Sequence, residues 1–142
     1  MLDQNARMIV AEAKNVEQAL KNLQAAMKRK KKTVIELAAI GVFLQNIYNG
    51  IENILKQTFK LKGIEIPKSN TWHKDLLECS VSKHILSQNL ADDLYEYLTF
   101  RHFFVHGYGS MLKEPQLDDL AKNIPDVWTR FLNEIKTNFP GM

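Results

Sequence analysis

Ala6, Ile9, Ala13, Val16, Leu20, Leu23 and Met27 follow one another at alternating spacings of three and four residues. That rhythm lays them along one stripe of a helix, the pattern of a bundle seam. Neither Gly nor Pro interrupts the stretch, and Asp3 is placed to cap its start. A second helix is predicted after a basic run. Thr33 stands at its N-cap with Glu36 three residues on, the capping-box spacing. Its stripe is Val34, Leu37, Gly41, Leu44, Tyr48, Ile51 and Leu55, and Ile40, Ile47 and Ile54 widen it, so this helix should be buried over much of its girth. Gly41 and Gly50 lie inside it, each costing about 1 kcal/mol against Ala. Gly41 falls on the seam, where a missing side chain lets another helix come close. Lys62-Gly63 should end the helix.

Residues 64–71, with Pro67, Ser69 and Asn70, read as a loop. Trp72 to Cys79 reads as a short helix. A longer one should start between Ser80 and Gln88 and run through Leu90, Leu94, Tyr97, Leu98 and Phe104, with Gly107 and Gly109 marking its end. The last helix should begin after Glu114-Pro115, since Pro is tolerated in a first turn. Its stripe is Leu117, Leu120, Ile124, Val127, Phe131 and Ile135. Pro125 falls inside that stripe and predicts a kink or a break. Phe139-Pro140-Gly141 closes the chain. No period-two alternation is long enough for a strand. The expected architecture is all-α, an up-and-down bundle of four to five helices forming a single domain over residues 1–142.

Composition agrees with that picture. The 142-residue length suits one domain with a sizeable core, and 45% hydrophobic and 25% charged residues describe an ordinary globular protein. The first residues carry no apolar run of a secretory signal. Val34 to Tyr48, the longest apolar stretch, contains Glu36, Gln45 and Asn46 and reads as too short and too polar for a membrane span. Cys79 is the single cysteine, reads as a small buried side chain and cannot form an internal disulfide, so a cytoplasmic location is expected. The net charge is +3, and taking away the five charges of Lys28-Arg29-Lys30-Lys31-Lys32 leaves the remainder at −2. The chain is therefore no general basic coat for nucleic acid. The run itself has two readings: a solvated turn between helices, or an aid in holding a phosphate backbone.

Several chemistries drop out. There is no Gly-rich phosphate loop. A di-metal carboxylate site in a bundle needs Glu-x-x-His pairs, and the residues three before the histidines are Asn70, Val81, Thr99 and Phe103. No Cys/His cluster has zinc spacing. What remains is the segment from Arg101 to Tyr108. Arg101 offers a permanent charge and a planar fork for a phosphate oxygen. His106 brings an imidazole, the side chain most suited to moving a proton at neutral pH. An RNA 2′-hydroxyl attacking its own 3′-phosphate needs those two services and no metal or other cofactor, since the nucleophile is already in place. Five residues separate the pair, about 500°, or about 140° after a full turn, so the two do not share a face on a straight helix. Either the helix breaks before His106, or each residue works with a second copy of the chain. The structural alternative is an arginine with a carboxylate partner and a histidine at a helix end.

Arg101-x4-His106-x-Tyr108, near the end of an all-helical domain of this length, resembles the HEPN superfamily and its HepT branch. Trp72-His73-Lys74-Asp75-Leu76-Leu77 also looks like a HepT segment. The resemblance implies a metal-independent endoribonuclease that acts as a toxin and dimerises with its motifs facing across the interface. Its RNA cleavage would rest on Arg101 and His106. It implies a partner as well, a MntA-like nucleotidyltransferase antitoxin that transfers AMP to Tyr108. AMP there would bring negative charge and bulk against an RNA phosphate. No membrane partner is expected. His102 is an extra histidine, as suited to the helix surface as to RNA. Asn46 and Glu52 either orient the motif or serve the bundle. His73 and His84 read as structural or exposed, and Tyr95 and Tyr97 as packing. Two other functional classes stay open: a non-catalytic module binding a nucleotide, RNA or a protein partner, and a scaffold for the nucleotidyltransferase alone.

Overall fold

The computed structural model describes residues 4–106 and 114–139. Asp3, Gly107, Tyr108, Gly109, Pro140 and Gly141 lie outside the described residues. Five helices follow in order: α1 Gln4–Met27, α2 Val34–Leu61, α3 Trp72–Ser82, α4 Gln88–Val105 and α5 Glu114–Thr137, with no strand among the described residues. The four long helices form the bundle, and α3 lies against α4 and the middle of α2.

The stripes of the sequence become the core. From α1, Ala6, Ile9, Val16, Ala19 and Leu23 are buried, with Ala13, Leu20 and Met27 half-buried against them. From α5, Leu117, Ile124, Val127, Phe131 and Ile135 are buried, joined by Ala121 and Trp128. Helix α2 runs through the centre and packs on α1, α4, α5 and α3. The apolar stretch thus extends beyond Tyr48: by length and composition Val34–Leu61 is apolar enough to cross a membrane. Here Ile40, Leu44, Ile47, Ile51, Ile54 and Leu55 are fully covered by the other helices and form the bundle core. Val34 departs from its stripe and is exposed, because the first turn of α2 projects past the packed layer.

Local chemistry sets the helix ends. Thr33 and Glu36 form the capping box, and their hydrogen bond holds the Glu36 carboxyl below its usual value. Helix α2 stops at Gly63, whose φ of 68° closes a Schellman turn with Ile64 N–H donating to Phe59 C=O at 2.8 Å. Helix α3 extends past Cys79 and stops the same way at His84, with φ 60° and Ile85 N–H on Ser80 C=O at 2.8 Å. Cys79 itself is half-buried at the edge of the core rather than inside it. Ser87 then caps α4, its hydroxyl accepting from Leu90 N–H.

Both glycines of α2 sit at close approaches. A Cβ on Gly50 would meet Val16 Cγ2 at 2.3 Å, and one on Gly41 would meet Phe104 Cε1 at 2.6 Å. The first lets α1 close on α2; the second seats the end of α4. The break expected at Pro125 is absent: α5 is one helix through it. Loss of a backbone bond there costs about 3 kcal/mol. Burial of Ile124, Val127, Trp128 and Phe131 on either side outweighs it.

His84→Gly is expected to raise the unfolding free energy by about 1 kcal/mol, because a side chain in the left-handed region is strained. Gly50→Ala is expected to lower it by about 1–3 kcal/mol, since Val16 is branched at the clashing atom and overpacking outweighs the gain in helix propensity. Urea denaturation of both variants checks the pair; a destabilised His84→Gly or a stabilised Gly50→Ala contradicts the assignment.

Candidate functional site

Helix α4 carries the Arg101–His106 segment to the end of the bundle where the α1–α2 turn and the start of α5 also lie. Phe104 anchors it against Gly41 and stacks on Phe100 at 5.7 Å. Arg101 is half-buried, and its Nε donates to Asn49 Oδ1 of α2 at 2.6 Å. That bond fixes the guanidinium on the α2 side of α4. His102 and His106 are exposed, one turn apart, with ring centroids 4.2 Å apart. The His106 N–H still donates to His102 C=O at 3.2 Å. Helix geometry thus continues up to His106, and the first way of bringing Arg101 and His106 onto one face, a break before His106, is not what the chain adopts.

The α2 surface below Arg101 is a polar stripe of Gln45, Asn49, Glu52 and Lys56, spaced four, three and four. Glu52 is only 3% exposed, and its carboxylate accepts from His73 Nδ1 of α3, at 2.7 Å to one oxygen and 3.0 Å to the other. Trp72 stacks on the His73 ring at 3.6 Å, and Lys56 Nζ lies over Trp72 at 4.1 Å. The buried Tyr48 phenol stands behind this row. Burial, then the nearby Glu52 carboxylate, push its pKa far above the ordinary value, while Arg101 opposes them. No hydrogen bond of good geometry reaches its hydroxyl among the described residues.

Between α3 and α4 opens a cleft of about 360 Å³. Arg101, His102, His73 and Lys74 line it, with Tyr95 on its wall. No carboxylate is among its lining residues. Among the described residues, no group of three His, Cys, Asp or Glu side chains is placed to hold a metal ion. In the basic run, Lys28, Arg29, Lys30 and Lys31 are exposed in the α1–α2 turn, and Lys32 pairs with Glu114 at 3.5 Å.

The model of a family described as HepT-like protein matches residues 39–140, which include Arg101, His106 and Tyr108. The chain belongs to the HepT-like family. A solved structure described as "Crystal structure of the toxin-antitoxin with AMP-PNP" shares its fold, with a TM-score of 0.81 at 16% identity, over 92% of this chain and 98% of that one. No curated protein matches the sequence.

In this HepT-like protein, Arg101, His102 and His106 stand together at the end of α4, while Tyr108 lies outside the described residues. Asn46, considered as an orienting residue, is exposed, and Glu52 turns to His73; Asn49 holds Arg101 instead. The four-three-four polar spacing on a helix otherwise buried was the signal for Asn49. Tyr97 is packing, as expected, with its hydroxyl donating to Leu120 C=O at 2.7 Å. Tyr95 is not: it is 46% exposed on the cleft wall. His84 is structural at its turn, whereas His73 is tied to the site.

His73→Ala leaves Glu52 buried without its donor and is expected to cost about 1–3 kcal/mol of stability. His73→Asn returns an N–H at the Nδ1 position and should recover most of that loss. Denaturant unfolding of the two variants decides it; equal stabilities would contradict the bond's importance.

Proposed function

We propose that this HepT-like protein is the toxin of a toxin–antitoxin pair and a metal-independent endoribonuclease of the cytoplasm. The observation that carries the reading is the arginine held by Asn49 beside a cleft that no carboxylate lines, at the helix end that also bears the exposed His102 and His106. An RNA phosphate meets positive charge there, and no carboxylate lines the cleft itself. The match to the HepT-like family over the motif, and the fold shared with a toxin–antitoxin structure, support the toxin role.

In the proposed reaction His106 takes the proton from a ribose 2′-hydroxyl. The 2′-oxygen attacks the adjacent phosphorus, and Arg101 stabilises the charge that builds on the non-bridging oxygens. The bond to the 5′-oxygen breaks, and that oxygen leaves with a proton. The products are a 2′,3′-cyclic phosphate and a 5′-hydroxyl. Because α4 stays helical up to His106, the Arg101 and His106 acting on one phosphate come from two copies of the chain, in a homodimer. AMP transferred to Tyr108 by a MntA-like nucleotidyltransferase antitoxin would switch the enzyme off by placing anionic bulk two residues from His106.

Arg101→Ala and His106→Ala are each expected to lower RNA cleavage by about 10²–10⁴-fold and to abolish growth inhibition, with the helical circular dichroism unchanged. RNA cut at the wild-type rate by His106→Ala would overturn the mechanism. Absence of any cyclic-phosphate product from the wild-type chain would favour a binding module instead. Intact-mass measurement of protein made with the antitoxin should show gains in multiples of one AMP, lost in Tyr108→Phe. An unmodified wild-type chain would remove the proposed switch.

A further inference from the structure

A buried carboxylate needs a donor, and Glu52 takes His73 Nδ1 on both of its oxygens. An imidazole so held has its Nδ1 hydrogen committed and its Nε2 on the opposite side of the ring. Among the described residues, Nε2 has no hydrogen-bond partner. Stacking by Trp72, itself under Lys56, keeps the ring from turning away. The same ring lines the cleft of about 360 Å³ beside Arg101, with Lys74 on the next position of α3. A bundle does not require such a pair for stability, since a buried ionic contact can be replaced by apolar packing at little loss. What the pair does is aim one nitrogen.

We propose that the α3–α4 cleft is a second phosphate-binding subsite for RNA, in which His73, oriented by Glu52, acts with Lys74 on the phosphodiester next to the one that Arg101 holds for cleavage. With Glu52 on one side and a phosphate on the other, the ring has a nitrogen for each of two anions. Tyr95 on the wall offers a face on which a flanking base can stack. The subsite rests on the ribonuclease reading. It goes beyond that reading by placing a substrate contact on α3, outside the Arg101–Tyr108 segment, and by giving the bound strand a direction along α4.

The test uses the full chain carrying His106→Ala, so that RNA is bound but not cut, and a fluorescently labelled single-stranded RNA followed by anisotropy across a salt series. Adding His73→Asn, which keeps an N–H for Glu52 but has no Nε2, is expected to weaken binding about tenfold. It should also reduce the magnitude of the log K against log salt slope by about 0.7, the value of one phosphate on a single strand. Lys74→Ala should reduce that slope likewise. Unchanged affinity and slope in His73→Asn, with tight binding by the parent, would overturn the subsite alone. No RNA binding by the parent would overturn the ribonuclease reading with it. An effect of His73→Asn on the affinity for free AMP but not for RNA would make the cleft a nucleotide site and also overturn the proposal.

Discussion

Helix α2 must be covered on almost every side, and the rest of the molecule is arranged around that requirement. Its apolar positions are met by α1, α4 and α5, which supplies the driving force for the bundle. Its polar positions cannot be met that way. Asn49 is half-buried and Glu52 almost fully buried, and a buried polar group without a partner costs more than an ordinary hydrogen bond contributes. Arg101 of α4 answers the first and His73 of α3 the second. The bonds that satisfy the central helix therefore hold two of the side chains that line the cleft.

This coupling bears on what the end of α4 can do. Gly41 gives Phe104 room to lie against α2, so the last turn of the helix that carries the motif is seated on α2. Arg101 then points along α2, while His102 and His106 share an exposed face with their rings in contact. A single chain places Arg101 and His106 about 140° apart around one helix. The reaction proposed for it needs both at one phosphorus atom, which is the physical reason for invoking a second copy.

The fold was readable in the sequence because helical periodicity and capping are local. The stripes of α1 and α5, the Thr33-Glu36 box and the Gly63 stop all follow from residues within a few turns of each other. Pro125 misled in part, because a local penalty was set against tertiary burial that a single segment does not display. Val34 and Tyr95 misled for the opposite reason: each has the residue type of a packed position but lies beyond the layer that would pack it. The candidate site was legible only as far as Arg101, His106 and Tyr108, which are close in the chain. Asn49 and His73 reach it across 52 and 21 residues of sequence from their partners, and only the packing of α2 against α3 and α4 shows why they matter.

The most direct measurement is complementation between two inactive chains. Purified Arg101→Ala and His106→Ala proteins are unfolded and refolded together in equal amounts, and RNA cleavage is followed by the appearance of 2′,3′-cyclic phosphate ends. If Arg101 and His106 from different copies serve one phosphate, half of the dimers are mixed and each holds one intact site. The mixture should then recover about a quarter of the wild-type rate. No recovery beyond the separate variants, with wild-type protein active under the same conditions, would contradict a shared site; no cyclic phosphate from the wild type would contradict the ribonuclease itself.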